Sequence, residues 1–175
     1  MRTASVVCCI LISVAQMAQA PRPPDLNAQR AAMKKLNFLV GNWSGEAHVL
    51  SSETGPKELA MTERAEFKLG GLVLTIEGVG RSKADGEPAL QAFGVVSYDD
   101  ASGTYHMRAF NDGRFLEADM KLAGHGLTWG FTLGGYRTHS TLRITDAGDW
   151  TEHHEISVGS TPAKPFMELK VTRRP

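Results

Sequence analysis

Beyond Gly41 the apolar residues alternate with polar ones, and this period of two limits the possible folds more than any other feature. The segment 58–69 shows it most clearly: every second residue from Leu59 to Leu69 is apolar except Glu63, and the residues between are almost all polar. Such alternation is typical of a β-strand that buries one face. Similar segments follow as far as residue 173, separated by turns rich in glycine, aspartate and asparagine. The pattern predicts an all-β structure.

The segment before Gly41 has the spacing of a helix instead. Apolar residues recur at helical intervals from Leu26 to Val40, Asp25 stands at the N-cap position, and Gly41 ends the run. No helical pattern, repeat or linker interrupts the strand-like segments that follow, which number about ten. We therefore expect an antiparallel up-and-down β-barrel of about ten strands over residues 36–175, with a short N-terminal helix.

The first 20 residues have the pattern of a secretory signal peptide. Arg2 supplies a positive charge, residues 4–18 are mostly apolar or small, and Ala18-Gln19-Ala20 is a cleavage motif. The apolar run is too short and interrupted to span a bilayer, so no membrane insertion of the mature chain is expected. The alternative is a buried N-terminal helix. We expect cleavage near Ala20, a leader and helix start at residues 21–35, and a periplasmic or secreted protein.

Composition argues against several classes of function. Both cysteines, Cys8 and Cys9, lie within the predicted signal, so the mature chain has no disulfide and depends on its core for stability. Lys and Arg together number 19, as do Asp and Glu, and the two signs are well mixed. Without a basic stripe or cluster, neither nucleic acid nor an anionic membrane surface is expected as a partner.

The segment Leu36–Gly45, which contains Gly41-Asn42-Trp43, resembles the entrance to the barrel of calycins, the group that includes lipocalins and fatty-acid-binding proteins. The resemblance implies that Trp43 closes the barrel floor beside Gly41 and that a basic residue of the last strand packs over its ring. Alternation places Arg173 on the inward face of that strand, where a cation–π contact contributes about 0.5–2 kcal/mol. The alternative is that Arg173 belongs to a charged tail.

Further motifs resemble a family of small bacterial lipocalin-like barrels of unknown function, many of which have a secretion signal. They are the segment 36–45, the turn Leu69-Gly70-Gly71, and Phe93–Asp99 followed by Gly103-Thr104-Tyr105. This resemblance extends over nearly all the mature chain and implies a ten-stranded barrel around an interior cavity.

The pattern Gly41-x-Trp43-x-Gly45 is also similar to that of nitrobindin-like haem barrels. Those proteins bind haem through a histidine on the last strand, where this chain has Met167-Glu168-Leu169-Lys170. The last histidine in the chain is His154. No cofactor is therefore expected, and haem remains an alternative.

Glu152 and His154 belong to the densest polar cluster, residues 152–155. Alternation from Trp150 places both on one face of a strand, with the residues between on the other. A metal would need further ligands, for which His106 and His139 are the candidates, and we expect none. The alternatives are a solvated edge or a hydrogen-bonded pair within the barrel.

Glu63 interrupts an otherwise apolar face. A lone buried carboxylate is unfavourable unless it is paired. Glu63 therefore either meets Arg173, His154 or a ligand in the interior, where a raised pKa would suit it to acid–base chemistry, or lies at the wet mouth of the barrel.

The predicted function is binding of a small hydrophobic molecule inside the barrel. The chain has no recognisable catalytic motif, so catalysis is not expected. The alternatives are a haem-binding or catalytic barrel that uses Glu63, Glu152 and His154, and a filled structural barrel. The residues predicted to line the cavity combine apolar walls with a few polar groups; they are Met61, Glu63, Met120, Trp129, Phe131, Tyr136, Thr138, Ser140, Glu152 and His154.

Overall fold

The computed structural model describes residues 22–50 and 55–175, so the predicted signal peptide lies outside the described residues. Helix α1 (Leu26–Lys34) begins after Asp25, whose Oδ1 accepts hydrogen bonds from the backbone N of Asn27 and Ala28 at 3.0 Å each. The predicted N-cap is confirmed. The helical spacing up to Val40 is divided, however, between α1 and a separate 3₁₀ turn at Asn37–Leu39.

Strands make up most of the remaining chain. Their bounds are β1 Gly41–Val49, β2 Lys57–Lys68, β3 Val73–Ser82, β4 Pro88–Asp99, β5 Thr104–Asn111, β6 Arg114–Ala123, β7 Gly126–Trp129, β8 Thr132–Leu133, β9 Tyr136–Ile144, β10 Trp150–Val158 and β11 Lys164–Arg174. A second 3₁₀ turn at Leu69–Gly71 joins β2 to β3 where we expected a tight turn. Gly70 has a φ of 64° there, which a residue without a Cβ adopts readily.

The strands form one closed antiparallel barrel. Successive strands from β1 to β7 are neighbours, β7 pairs with β9, β9 with β10, β10 with β11, and β11 with β1. Ten strands close the ring, and β8 is an extra strand that pairs with β9. The predicted all-β barrel with a short N-terminal helix is confirmed.

The alternation of residues 127–133 favours one strand, but the structure divides this segment into β7 and β8. Gly130 leaves the sheet between them and approaches β9 so closely that a Cβ at this position would lie 2.4 Å from the carbonyl oxygen of Thr138. A glycine is therefore required at this break.

One end of the barrel is closed by the N-terminal segment. Met33, Leu36 and Leu39 are fully buried against the core. The hydroxyl of Tyr105, on β5, donates a hydrogen bond of 2.8 Å to the carbonyl oxygen of Ala32 in α1. This end holds the beginning of β1 and the end of β11, and the opposite end is the open one. Within the described ranges, no helix is long and apolar enough to cross a membrane.

Candidate functional site

The floor of the barrel is built around Trp43. Its indole Nε1 donates to the carbonyl oxygen of Leu39 at 2.8 Å, and its ring meets that of Trp150 edge-on with centroids 5.5 Å apart. Arg173 faces Trp43 in the β1–β11 register, and its guanidinium carbon lies 4.1 Å from the centre of the ring. The guanidinium also donates to the carbonyl oxygens of Phe38, at 2.8 Å, and of Val40. The predicted contact between Arg173 and Trp43 is therefore present.

Above this floor, β9 and β10 bring together a hydrogen-bonded chain of buried polar groups. Ser140 and His154 face each other in the β9–β10 register, and Ser140 Oγ lies 2.8 Å from His154 Nδ1. His154 Nε2 lies 2.8 Å from Glu152 Oε2, and the other carboxylate oxygen accepts from Trp150 Nε1 at 2.9 Å. A carboxylate with two such donors is best satisfied when His154 carries its proton on Nε2, which leaves Nδ1 to accept from the Ser140 hydroxyl.

Glu63 lies in the interior close to this chain. It is only 9 % exposed, so the alternative of a wet residue at the barrel mouth is wrong. In the parts of the chain that the structure describes, no group donates a hydrogen bond to its carboxyl group. Burial, and to a smaller extent the negative charge of Glu152, raises the pKa of Glu63 well above its ordinary value of 4.5. Its surroundings therefore favour the protonated, neutral form of the carboxyl group.

Gly78 makes room for that carboxyl group. It stands opposite Glu63 in the β2–β3 register, and a Cβ at this position would lie 2.7 and 2.8 Å from the two carboxyl oxygens. The absence of a side chain at Gly78 thus lets Glu63 extend along the inner wall.

Aromatic rings surround His154. Trp129 lies edge-on at 6.0 Å between centroids, and Phe166 at 5.7 Å. Phe166 reaches the inner face through a β-bulge in β11: Met167 pairs with His154 and Pro165 with Glu155, which leaves Phe166 as the extra residue. Simple alternation along β11 did not identify it as a site residue.

The wall of the barrel has a slot beside this cluster. β6 pairs with β7 through Lys121, Leu122 and Ala123, and within the described residues its first seven positions have no ladder partner on that side. A groove of about 610 Å³ lies there, between β5–β6 and the segment 130–138. We call it the lateral slot, and the residues that line it include Met107, Arg108, Ala118, Gly130, Phe131 and Thr138.

The lateral slot is lined by residues of both the outer and the inner face of the wall. Arg108 is on the outward face of β5, whereas Met107, Ala118 and Thr138 are at inward positions of their strands. Thr138 is the next inward residue to Ser140 on β9. Its hydroxyl is 3.2 Å from the backbone N of Phe131, which it holds at the edge of the slot.

The predicted cavity residues therefore occupy three levels of the barrel. Met61 and Met120 are buried in the core, and Glu63, Ser140, Glu152 and His154 form the polar centre with Trp129 beside it. Phe131 and Thr138 line the lateral slot. Tyr136 lies at the open rim, where it is 52 % exposed. Both candidate metal ligands face outward: His106 pairs with Asp119 at 2.7 Å, and His139 is exposed.

A second cluster, which sequence analysis missed, lies on the outer wall. Among the described residues, Glu46, His48 and Glu58 place potential metal-ligand atoms within 4.8 Å of one another. All three are exposed. His48 Nδ1 is already 2.7 Å from Glu58 Oε1, and Lys83 Nζ is 2.8 Å from Glu46 Oε2. These mutual ion pairs account for the cluster without a metal.

A closed antiparallel barrel with a helix over one end, an indole floor and an inward-facing polar centre is a lipocalin-like barrel. No protein-family model matches the chain, and no curated protein matches it in sequence. Solved structures match it in fold. Rv2717c from M. tuberculosis has a TM-score of 0.63 at 15 % identity, over 82 % of this chain and 98 % of that one. The S-type phycobiliprotein lyase CPES from Guillardia theta has a TM-score of 0.58 at 6 % identity, over 82 % and 93 %. These similarities establish the fold.

Proposed function

We propose that this protein is an exported lipocalin-like barrel that binds a small, predominantly apolar molecule in its interior, with entry through the lateral slot. The observation that carries the proposal is Glu63: a buried carboxyl group, without a donor among the described residues, in an aromatic-lined interior. Among the described residues, no fully buried side-chain oxygen lacks a partner, so the oxygens of Glu63 are not sealed off from open space, where a polar group of a ligand can bind them. Export rests on the signal-peptide pattern of residues 1–20.

The dimensions and chemistry of the slot support this function. Its volume of about 610 Å³ lies within the range of small-molecule sites, roughly 300–1,000 Å³. Its inner side carries the apolar Met107, Ala118 and Phe131 with the hydroxyl of Thr138, and its outer side carries the polar and charged side chains of His106, Arg108, Glu117, Asp119 and Arg137. The resemblance to lipocalins supports the same use of the interior, although fold alone does not define a ligand.

The test is a fluorescence titration of the purified protein with an uncharged apolar probe, dodecan-1-ol. The described tryptophans, Trp43, Trp129 and Trp150, all face the interior, so an occupied interior changes their emission. Ala118→Phe, which fills the inner side of the slot, should weaken binding by about tenfold or more, since an overpacked site excludes the probe. Ala101→Phe, in an exposed turn, is the matched control. Saturable binding that Ala118→Phe leaves unchanged would refute entry through the slot, and the absence of any binding would refute the function.

A catalytic barrel is the second candidate, because Ser140, His154 and Glu152 form a hydroxyl–imidazole–carboxylate chain with both contacts at 2.8 Å. That order is the one used to activate a serine nucleophile. Two features argue against it. Ser140 is only 2 % exposed, so a substrate has little access to its hydroxyl. Its backbone is paired with Trp129 on one side and with His154 on the other, so the backbone N–H groups around it belong to sheet ladders rather than to an oxyanion hole. Covalent labelling of Ser140 by a fluorophosphonate, detected by mass spectrometry, would favour catalysis.

Haem does not fit the interior as it stands. Iron needs a free ring nitrogen, and both nitrogens of His154 are already hydrogen-bonded. We therefore include no haem in the proposal. In a haem titration we expect no Soret shift that depends on His154: wild type and His154→Ala should give the same spectrum.

A further inference from the structure

The charge of the interior indicates which ligand the barrel accepts. Around Glu63, the inward-facing ionisable groups are Glu152 and His154 on β10, with Tyr98 and Tyr105 nearer the closed end. The residues opposite Glu63 on the adjacent strands are Trp43 on β1 and Gly78 on β3, and neither carries a charge. Arg173 is engaged below, over Trp43 and with two carbonyl oxygens. No Lys or Arg side chain of the described residues therefore pairs with either carboxyl group of the centre, although His154 is hydrogen-bonded to Glu152.

Cations are found instead at the open rim. Lys57, Arg114 and Lys164 occupy inward positions at the starts of β2, β6 and β11, but all three are exposed. Lys57 is six positions before Glu63 on β2, a distance of about 20 Å at strand spacing. Among the described residues, the Lys and Arg side chains at inward positions thus lie at the wet edge or, in the case of Arg173, at the floor, while the centre holds two carboxyl groups.

On the basis of the binding function proposed above, we propose that the ligand is an amphiphilic amine, whose ammonium group binds between Glu63 and Glu152 while its apolar part packs against the surrounding aromatic rings. An ammonium group has three N–H donors, and the Glu63 carboxyl group has no donor among the described residues. The oxygens of Glu152 already accept from Trp150 and His154, so Glu152 contributes mainly its negative charge. Trp129 and Phe166 supply the apolar and aromatic surface that favours a cation at close range. A fatty-acid carboxylate in the same position would face the negative charge of Glu152 in an environment of low dielectric.

The binding step has a defined proton balance. The raised pKa of Glu63 favours its protonated form in the free protein, whereas the ammonium group binds best to the ionised form. Binding therefore transfers that proton from the Glu63 carboxyl group to the solvent, while the ligand keeps its own charge. One proton is released for each amine bound, and affinity rises with pH until Glu63 is ionised in the free protein or the amine loses its proton.

The experiment compares three probes with the same chain and different heads: dodecylamine, dodecan-1-ol and dodecanoate. Each is titrated into the purified protein at pH 7, below its micelle concentration, by tryptophan fluorescence and calorimetry. We expect dodecylamine to bind about tenfold or more tighter than dodecan-1-ol, as for one charge-assisted hydrogen bond, and dodecanoate to bind more weakly than either. Calorimetry in phosphate and Tris buffers should show one proton released with the amine and none with the alcohol.

Glu63→Gln should bring the ratio of amine to alcohol affinity to about one and abolish proton release, while leaving dodecan-1-ol binding in place. Glu77→Gln is the matched control, because Glu77 is exposed on β3 next to Gly78. A Glu63→Gln variant that keeps the amine preference would overturn the inference. The inference would also be overturned if dodecanoate bound most tightly of the three probes, because its carboxylate would then lie at the basic rim. In both cases the proposed binding function stands, whereas failure of all three probes to bind would remove the function as well.

Discussion

The buried carboxyl group of Glu63 makes a prediction about folding that requires no ligand. Because burial and the charge of Glu152 raise its pKa above 4.5, the native protein holds a proton that the unfolded chain releases as the pH rises past 4.5. The unfolded state then binds fewer protons than the native state, so the free energy of unfolding decreases with rising pH. For one proton the slope is at most about 1.4 kcal/mol per pH unit, and it continues until the native pKa is passed.

Glu63→Gln removes this titration and nearly preserves the shape of the side chain. We expect its free energy of unfolding, relative to wild type, to increase by about 1 kcal/mol per pH unit above pH 5. The assay is urea unfolding followed by tryptophan fluorescence at several values between pH 5 and pH 8. Carboxyl groups with lowered pKa values contribute a slope of the opposite sign only at pH values near and below their ordinary pKa, outside this window. Asp100, for example, has its pKa lowered to about 2 by hydrogen bonds from Gln29 and the backbone of Asp25.

Glu77→Gln provides the control for this experiment, since it makes the same chemical change on the exposed face of the adjacent strand. Its free energy of unfolding should follow that of wild type at every pH. If Glu63→Gln and wild type also give parallel curves across the whole range, Glu63 does not hold a proton in the native barrel, and the electrostatic argument for the interior fails.

Three further substitutions test the floor, the helix contact and the wall. Arg173→Ala should lower the free energy of unfolding by about 1–2 kcal/mol in urea, because it removes the cation from the Trp43 ring, and Arg173→Lys should restore part of the loss. Tyr105→Phe deletes the 2.8 Å hydrogen bond to a buried helix carbonyl and should cost about 1–2 kcal/mol in thermal unfolding. Gly78→Ala places a Cβ 2.7 Å from a carboxyl oxygen of Glu63 and should lower stability by about 1–3 kcal/mol and weaken dodecan-1-ol binding; unchanged values would show that the carboxyl group moves freely.

The barrel and its floor could be predicted from the sequence because the patterns that indicate them lie within single strands and turns. Alternation within β2 depends on residues of that strand alone, and glycine and aspartate mark the turns independently. The contact between Trp43 and Arg173 could be predicted from the resemblance at the first strand together with the alternation that places Arg173 on the inward face of the last strand. In each case no knowledge of cross-strand register was needed.

The polar centre depends on register, which alternation within one strand does not reveal. Ser140 and His154 were each predicted to face inward, but their direct opposition follows from the β9–β10 pairing. Phe166 enters the interior because a bulge shifts the phase of β11 by one residue. The break at Gly130 likewise results from a close approach to β9, far along the chain.

The first half of β6 has a mechanical consequence for the barrel. Elsewhere the wall is closed by continuous ladders, and widening it would rupture several backbone hydrogen bonds together. Along the edge of β6 at the lateral slot, residues 114–120 have no ladder partner on that side among the described residues, so this edge can move away from the segment 130–138 while every ladder stays intact. A guest wider than the resting gap can then pass without unfolding any strand, and the peptide amides of β6 on that edge should exchange with deuterium sooner than those of the fully paired strands.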